Sequence, residues 1–324
     1  MRRFPLRPVI TGSIAYDYLM TFPGRFAEHL IADKLDKISV SFLVDVMEKR
    51  RGGCAANISY NLALLGERPL MTGSAGRDFG EYRAFLEAAG VDTSGVAVRE
   101  DVFTASFFAN TDLDGNQICS FYTGAMRFAR EISLSPLGVG PGDRVIVSPN
   151  DPEAMIRTAR ECRELGVSFI YDPGQQIARL DGAALKSGAG GAEILILNEY
   201  ELSLFKQKTG LSDPDLFRLS RIVIVTLAER GAEIRTPEGV VPIPVVKPRR
   251  IADPTGVGDA FRAGLMKGLA HGLSLQAAGR MGSLAATWSL EASGPQEQAY
   301  TLSEFLDRFA ETFPDDSEVK TLRS

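Results

Sequence analysis

Short apolar segments alternate with segments of helical spacing along most of the chain. Apolar, β-rich runs predict buried strands at residues 9–14, 70–75, 145–147, 168–171, 194–197 and 222–225. Apolar positions at helical spacing predict helices at residues 55–65, 82–89, 153–165, 260–270, 275–290 and 302–312, with another starting at residue 199. Such alternation is typical of an α/β fold with a mainly parallel sheet covered by helices on both faces.

Two parts of the chain depart from this rhythm. Residues 38–42 alternate apolar and polar side chains with period two, which predicts a strand with one solvated face. Residues 103–109 and 117–122 alternate in the same way, with Asp114-Gly115 between them as a hairpin turn. We therefore expect a small antiparallel sheet, called the lid, inserted into an α/β core. This interpretation divides the chain into a lid of residues 15–48 and 101–125 and a core of residues 1–14, 49–100 and 126–324.

Composition and charge exclude several classes of function. The net charge of -5 provides no basic surface for a polyanion, so no nucleic acid is expected as a partner. No apolar run approaches the roughly 18 residues that a membrane span needs, so no membrane association is expected. The chain has only 2 histidines, which argues against His-based metal sites and Ser-His-Asp triads. Cys54, Cys119 and Cys162 are odd in number and widely spaced, which indicates reduced thiols and a cytoplasmic protein.

Residues 253–259, Asp-Pro-Thr-Gly-Val-Gly-Asp, combine glycines with a carboxylate just before a helical run. Gly256 and Gly258 carry no side chains, so backbone amides can approach a ligand, and the helix start adds partial positive charge. These features favour an anion hole for a phosphoryl group, with Asp259 beside it as general base for a hydroxyl. Taken alone, the same residues fit equally well a glycine-rich turn in which Asp259 caps the helix. A dinucleotide fingerprint would need glycine where Phe261 stands, and no Gly-Lys-Ser/Thr sequence marks a P-loop.

The chain resembles the PfkB (ribokinase-like) kinases in two segments. Residues 253–261 with Ala263-Gly264 are similar to the family's second signature, and Gly52-Gly53 followed by Asn57 is similar to its first. The resemblance extends from residue 9 to about residue 294. It implies a ribokinase-like three-layer α/β/α sandwich with an inserted β-sheet lid, and a phosphotransferase that uses ATP and Mg²⁺.

The resemblance also implies roles for the residues of the second signature. Asp259 would be the catalytic base, and the amides of Gly256, Val257 and Gly258 would form the anion hole, although many family members have alanine where Val257 stands. The nucleotide is expected to contact Asn198, Thr226, Gly231, Gly256 and Gly258.

Asn198 and Glu201 resemble the family's Asn-x-x-Glu, which acts on magnesium and the nucleotide phosphates. Asn198 follows a predicted strand and Glu201 comes one helical turn later, and both offer the hard oxygen ligands that Mg²⁺ prefers. In isolation, the same spacing fits a helix start with acidic residues in its first turn. In the predicted nucleotide-binding turn, Ala228 stands where glycine is usual.

Several segments resemble the bacterial, actinobacterial-type adenosine kinases more narrowly. They include Gly-Ser-Ile-Ala-x-Asp at 12–17, Ser-Phe-Tyr-x-Gly-Ala-Met at 120–126 and Gln-Gln-x-Ala-Arg-Leu at 175–180. In this family the carboxylate at the position of Asp17 binds two neighbouring hydroxyls of the acceptor sugar. The residues that the resemblance assigns to the acceptor are Ser13, Asp17, Ser41, Gly53, Asn57, Phe107, Phe121, Gln175, Gln176 and Arg179.

The aromatic and amide residues of that set favour a nucleoside over a free sugar. Phe107 and Phe121 lie on the two strands of the predicted hairpin, where a base can stack on them. Without the family resemblance, the buried face of a small sheet is the favoured explanation of these two residues. Gln175 and Gln176 can read a base edge through paired hydrogen bonds, and Arg179 can cover a stacked ring.

The resemblance therefore implies phosphoryl transfer from Mg-ATP to the 5′-hydroxyl of adenosine, in purine salvage. The alternatives are a ribokinase-type sugar kinase, a kinase of another nucleoside, and a catalytically idle nucleoside-binding sensor.

The resemblance also has a consequence for the oligomeric state. Lid sheets in this family often pair between subunits, and Ile38, Val40 and Phe42 offer an apolar face, so a homodimer is predicted.

Overall fold

The computed structural model describes residues 6–30, 37 and 39–323 of the chain. The strands are β1 Arg7–Thr11, β2 Ala15–Thr21, β3 Val46–Gly52, β4 Leu70–Gly76, β5 Asp92–Arg99, β6 Ala105–Thr111, β7 Gln117–Tyr122, β8 Asp143–Val147, β9 Ser168–Tyr171, β10 Ile194–Asn198, β11 Ile222–Thr226, β12 Ala232–Thr236 and β13 Gly239–Ile243. The helices are α1 Phe26–His29, α2 Cys54–Leu64, α3 Gly80–Ala89, α4 Pro152–Glu164, α5 Gly182–Ala189, α6 Glu199–Thr209, α7 Asp213–Leu219, α8 Val257–Ala270, α9 Leu275–Leu290 and α10 Leu302–Thr312. Short 3₁₀ helices lie at Gly124–Glu131, Ser135–Leu137, Gly174–Ala178, Ala228–Arg230 and Glu318–Arg323.

The large sheet has the strand order β13-β12-β11-β10-β9-β8-β1-β4-β5. The seven strands from β11 to β5 in this order pair in parallel, and β12 and β13 are added antiparallel at one edge. Successive residues of a strand point to opposite faces of the sheet. Val9 and Val145 accordingly join one buried apolar cluster, whereas Ile10 and Ile146 join another. The sheet is therefore buried on both faces between helices, which confirms the predicted ribokinase-like three-layer fold.

The small sheet has the order β3-β2-β6-β7. The prediction of a purely antiparallel sheet was wrong, because β2 and β6 run parallel while the outer pairs are antiparallel. Strand β3 continues to Gly52, beyond the predicted lid boundary at residue 48.

The predicted strand at residues 38–42 was also wrong. Ile38 lies outside the described residues, residues 39–44 form neither helix nor strand, and the strand begins at Val46. The Phe42 ring packs against Phe22 and Phe26, with ring centroids 5.1 and 4.8 Å apart. The apolar character of this segment therefore serves a local aromatic cluster and not a strand face.

The topology brings several strand ends to one edge of the large sheet. The carboxyl ends of β1, β8, β9, β10 and β11 meet there because these strands are parallel. Open α/β sheets bind ligands at this edge. Among the described residues, no helix is long and apolar enough to cross a membrane.

Candidate active site

The two glycines of the first signature bring α2 close to the loop after β1. Gly53 has φ +94°, and a Cβ built there would lie 2.6 Å from the Ser13 carbonyl oxygen, so only glycine fits. The Cys54 backbone N–H donates to the Ser13 hydroxyl oxygen at 3.0 Å, which satisfies one of the free amides at the start of α2. The result places Asn57, one turn into α2, next to the second signature.

The second signature forms a tight turn that ends in α8. Gly256 precedes the helix with φ +77°, and a Cβ there would lie 2.4 Å from the Pro295 Cβ. The Asp253 carboxylate accepts a hydrogen bond from the Thr255 backbone N–H at 2.8 Å, which shapes the turn. The first N–H groups of a helix have no acceptor within the helix. In α8 the Val257 N–H donates to the Pro254 carbonyl oxygen at 3.4 Å, whereas the N–H groups of Gly258 and Asp259 have no acceptor among the described residues and are available to an anion.

Asp259 lies in the first turn of α8 and is half-buried. The Asn57 side-chain amide donates to the Asp259 Oδ2 at 2.8 Å. Burial raises the pKa of the Asp259 carboxyl to about 6, although the Arg262 charge and the Asn57 hydrogen bond lower it. A carboxyl with this pKa is mostly ionised at neutral pH and can accept a proton.

Beside Asp259 lies an ion pair that the sequence interpretation missed. The Arg262 guanidinium on α8 donates to both carboxylate oxygens of Asp172, with Nη2 2.8 Å from Oδ1. Its Nη1 donates to the Gly258 carbonyl oxygen at 2.9 Å. Arg262 lies between the quoted residues of the second signature, Phe261 and Ala263, and Asp172 lies in the Asp-Pro-Gly loop after β9, but neither residue type alone indicated a pair. The pair fixes the turn against the edge of the sheet.

A cavity of about 510 Å³ lies between the small sheet and the strand ends. It brings together nine of the ten residues predicted to contact the acceptor, and the tenth, Ser41, is exposed and does not line it. The complete lining is Ser13, Ala15, Asp17, Gly53, Cys54, Asn57, Phe107, Phe121, Met126, Pro149, Gln175, Gln176 and Arg179. The sequence interpretation missed Ala15, Cys54, Met126 and Pro149, whose residue types carry no chemical signal.

Asp17 reaches this cavity from β2, where Arg50 is its cross-strand partner on β3. Burial raises the pKa of the Asp17 carboxyl to about 6, while the Arg50 charge lowers it and the Asp253 charge raises it. The Arg50 guanidinium donates to the Asp253 carboxylate at 2.7 Å, so it links the small sheet to the second signature. Asp17 accepts no hydrogen bond from the described residues.

The aromatic and amide side chains of the cavity present complementary groups. Phe107 and Phe121 are direct cross-strand partners on β6 and β7. Gln176 is only 7% exposed, and its side-chain oxygen is buried without a hydrogen-bond partner among the described residues. A buried acceptor without a partner is costly, so this oxygen is suited to a donor supplied by a ligand.

A second cavity of about 240 Å³ adjoins the first, and the two share Cys54, Pro149 and Gln175. Its lining is Cys54, Pro149, Asp172, Gly174, Gln175, Asn198, Glu201, Thr226, Gly256, Gly258, Asp259 and Arg262. Val257 and Gly231, both predicted as site residues, do not line it. Gly231 instead lies at the turn into β12, where a Cβ would approach the Ile243 carbonyl oxygen to 2.1 Å.

Asn198 and Glu201 form a capping box at the start of α6. The Asn198 side chain accepts from the Glu201 backbone N–H, and the Glu201 carboxylate accepts from the Asn198 N–H, both at 2.8 Å. Burial raises the pKa of the Glu201 carboxyl. Within the described residues, no group of three or more His, Cys, Asp or Glu side chains is arranged to hold a metal ion. The two side chains therefore offer few protein ligands, which fits a Mg²⁺ that is held mainly by water and phosphate oxygens.

An acceptor-sized cavity adjoins a smaller one that is lined by a helix start, and Asp259 lines the smaller cavity while bonding to Asn57 of the larger. These features define a phosphotransferase that acts on a hydroxyl group. The chain belongs to the pfkB family of carbohydrate kinases, which it matches over residues 15–302.

Named relatives agree with this family. The chain is 30% identical over 300 residues to the nucleoside kinase of Methanothermobacter thermautotrophicus, covering 92% of this chain and 94% of that protein. The solved structure of Burkholderia thailandensis nucleoside kinase in complex with inosine is 39% identical, with a TM-score of 0.83 over 95% of this chain and 98% of that one. Arabidopsis thaliana ribokinase, solved with ribose and ATP, shares the fold at 19% identity and a TM-score of 0.80, over 94% of this chain and 99% of that one. The predicted family is confirmed, whereas these relatives are named as nucleoside kinases and a ribokinase and not as actinobacterial adenosine kinases.

Proposed function

We propose that the protein is a nucleoside kinase that transfers the γ-phosphoryl group of Mg-ATP to the 5′-hydroxyl of a ribonucleoside, with adenosine as the preferred acceptor. One observation carries this proposal: a single cavity is lined by an unpaired carboxylate, two cross-strand phenylalanines and a buried carboxamide oxygen that has no partner among the described residues. Free ribose offers no aromatic ring for the phenylalanines. The inosine bound to the Burkholderia relative supports a nucleoside acceptor.

Each part of the nucleoside has a complementary group in the cavity. The Asp17 carboxylate is suited to accept hydrogen bonds from the ribose 2′- and 3′-hydroxyls, because it has two oxygens and no other donor. The base would stack on the rings of Phe107 and Phe121. The Gln176 oxygen needs a donor, which the 6-amino group of adenine supplies; the protonated N1 of hypoxanthine is the competing donor.

Asp259 is the proposed general base. It takes the proton of the 5′-hydroxyl as that oxygen bonds to the γ-phosphorus, and ADP leaves with the electrons of the broken P–O bond. The backbone amides of Gly256, Val257 and Gly258, at the turn into α8, and the Arg262 guanidinium are suited to stabilise the charge on the transferred group. The nucleotide phosphates would contact Asn198 and Thr226. Asn198 and Glu201 would hold Mg²⁺ through water, and the ion would supply positive charge that stabilises the phosphates.

The lid assignment and the oligomeric state belong to the same proposal. We propose that the small sheet closes over the nucleoside and excludes water, which would otherwise compete as the acceptor.

We also propose a homodimer in which the exposed edge strands β3 and β7 pair or pack with a second copy, since they expose Val46, Met47 and Ile118. Light scattering at micromolar concentration checks the dimer, and a monomer contradicts it. The three free cysteines support a cytoplasmic location.

The test is phosphoryl transfer from Mg-ATP to adenosine, inosine, guanosine, cytidine, ribose and fructose, measured for the wild type and for Asp259→Asn. We expect a strong preference for adenosine and a loss of turnover by about 10²–10⁴-fold in the variant. Activity on ribose or fructose alone would replace the nucleoside with a sugar acceptor. Absence of transfer to every acceptor would favour a nucleoside-binding sensor, and near wild-type turnover of the variant would exclude Asp259 as the base.

A further inference from the structure

A buried chain of hydrogen bonds runs from the Gly52 carbonyl oxygen through Tyr82, Gln296 and Asn57 to Asp259. Gln296 lies in the loop after α9 and is only 2% exposed. Its side-chain N–H₂ donates to the Asn57 Oδ1 at 2.8 Å and to the Tyr82 hydroxyl oxygen at 2.5 Å. The Tyr82 hydroxyl in turn donates to the Gly52 carbonyl oxygen at 2.9 Å. Gln296 itself lines neither of the two cavities, so it acts on the site through Asn57.

The direction of every hydrogen bond in this chain follows from its two ends. The Gly52 carbonyl oxygen can only accept a hydrogen bond, so the Tyr82 hydroxyl donates its single proton to that oxygen. The Tyr82 hydroxyl oxygen therefore accepts its other hydrogen bond from Gln296. The same Gln296 N–H₂ group also donates to Asn57, so the Asn57 side chain must direct its oxygen, and not its N–H₂ group, towards Gln296. At the other end, the ionised Asp259 carboxylate can only accept, and it receives the remaining Asn57 N–H₂ group at 2.8 Å. A turned Asn57 would point its oxygen at the carboxylate and repel it.

We infer that Gln296 is a positioning residue that holds the Asn57 amide with its N–H₂ group towards Asp259, and thereby keeps this base ionised and oriented. The inference rests on the proposed function, in which Asp259 accepts the proton of the acceptor hydroxyl. The hydrogen bond from Asn57 lowers the pKa of Asp259 against the effect of burial. Arg262, Asp172 and Cys54 also act on Asp259, whereas the Gln296 side chain is hydrogen-bonded to Asn57 and Tyr82.

The same loop provides a matched control. Gln298 is 4% exposed, and its side-chain N–H₂ donates to the Asn61 Oδ1 at 2.8 Å, as Gln296 does to Asn57. The Asn61 N–H₂ group, however, donates to the backbone oxygen of Asn57 at 2.9 Å and not to a carboxylate. Substitution of either glutamine removes a buried 2.8 Å hydrogen bond to an asparagine of α2. Only the asparagine paired with Gln296, Asn57, donates to Asp259.

The experiment compares Gln296→Met and Gln298→Met with the wild type in the dependence of kcat on pH. For Gln296→Met we expect the acidic limb of the profile to move up by about one pH unit, with roughly tenfold lower kcat below it and a smaller loss on the alkaline plateau. For Gln298→Met we expect a lower unfolding temperature but an unmoved limb. Tyr82→Phe, which removes the hydroxyl that orients Gln296, should move the limb in the same direction by less, and it takes the place of Gln296→Met if that variant does not fold.

A second readout separates this inference from the proposed function. The ¹³C chemical shift of the Asp259 carboxyl in the free enzyme reports its titration without any turnover. A wild type that phosphorylates no nucleoside would overturn the proposed function, while an upward shift of the titration in Gln296→Met would still support the positioning role. Equal titration in Gln296→Met and wild type, or equal shifts in the Gln296 and Gln298 variants, would overturn the inference.

Discussion

The buried pair of Arg262 and Asp172 leads to a large and specific prediction. Their side chains are 9% and 2% exposed, and the guanidinium donates to both carboxylate oxygens. Arg262→Met keeps most of the side-chain volume but leaves the Asp172 carboxylate buried without its counter-charge. Two charge-assisted hydrogen bonds are lost, each worth about 1.5–3 kcal/mol, and the Gly258 carbonyl oxygen also loses its donor. We therefore expect the free energy of unfolding to fall by about 3–5 kcal/mol, the cost of breaking a buried ion pair from one side.

Urea denaturation followed by circular dichroism measures this loss. The double variant Arg262→Met with Asp172→Asn removes the unpaired charge, so it should recover most of the stability. A loss below about 1 kcal/mol in Arg262→Met, or a double variant no more stable than the single one, would refute the reasoning. Arg308→Met is the control, because Arg308 makes a comparable two-oxygen pair with Glu291 at 2.7 and 2.8 Å, away from both cavities. It should lose stability as well, whereas only Arg262→Met should lower kcat in the remaining folded enzyme.

Three further predictions concern the site and the turn before β12. Since Asp259 must be ionised to accept a proton and its pKa is raised to about 6, kcat should fall as the pH drops through about 6 and reach a plateau above it; a flat profile between about pH 5 and 8 contradicts this. Phe107→Ala and Phe121→Ala should each weaken binding of adenosine by about 1–3 kcal/mol while changing the KM for ATP little, as steady-state kinetics with each substrate varied will measure. Ala228 has φ +51°, the one positive φ of a non-glycine residue in the described part of the chain. Glycine adopts this conformation without strain, so Ala228→Gly should raise the free energy of unfolding by up to about 1 kcal/mol, as urea denaturation will measure. A lower free energy of unfolding in the variant would contradict backbone strain at this turn.

The sequence predicted the layered core well because its strands carry a strong local signal. Residues 194–197 and 222–225 are unbroken apolar runs, and they form the interior strands β10 and β11 of the large sheet. The small sheet was less predictable, since a solvated sheet has weaker patterning. Its parallel pairing of β2 with β6 joins segments far apart in the chain, and no local pattern specifies such a partner.

The candidate site was predictable where its residues stand in ordered motifs. Gly53, Asn57 and Asp259 do so, and the structure brings them to adjoining cavity walls. Ser41 belongs to an irregular segment whose course local patterning does not fix, and it lies away from the acceptor cavity. Gln296 was also missed, because a buried glutamine in a loop acquires meaning only through partners more than 200 residues away.

Asp17 and Asp259 have a common consequence for the fold. Burial raises both carboxyl pKa values from 3.8 to about 6, so the folded state prefers their protonated forms. The contribution of each raised pKa to the free energy of unfolding is fully present below pH 3.8 and is lost as the pH rises through about 6. At neutral pH the ionised, buried carboxylate therefore lowers the free energy of unfolding by on the order of 3 kcal/mol per group relative to its value below pH 3.8. The proposed reaction needs both carboxylates ionised, so at the pH of the reaction the free enzyme has the lower free energy of unfolding. In the proposed complex the acceptor would offset this cost at both groups, because the ribose hydroxyls would donate to Asp17 and Asp259 would take up the 5′-hydroxyl proton during transfer. The burial that destabilises the ionised carboxylates of the free enzyme would thus strengthen the proposed interactions with the acceptor.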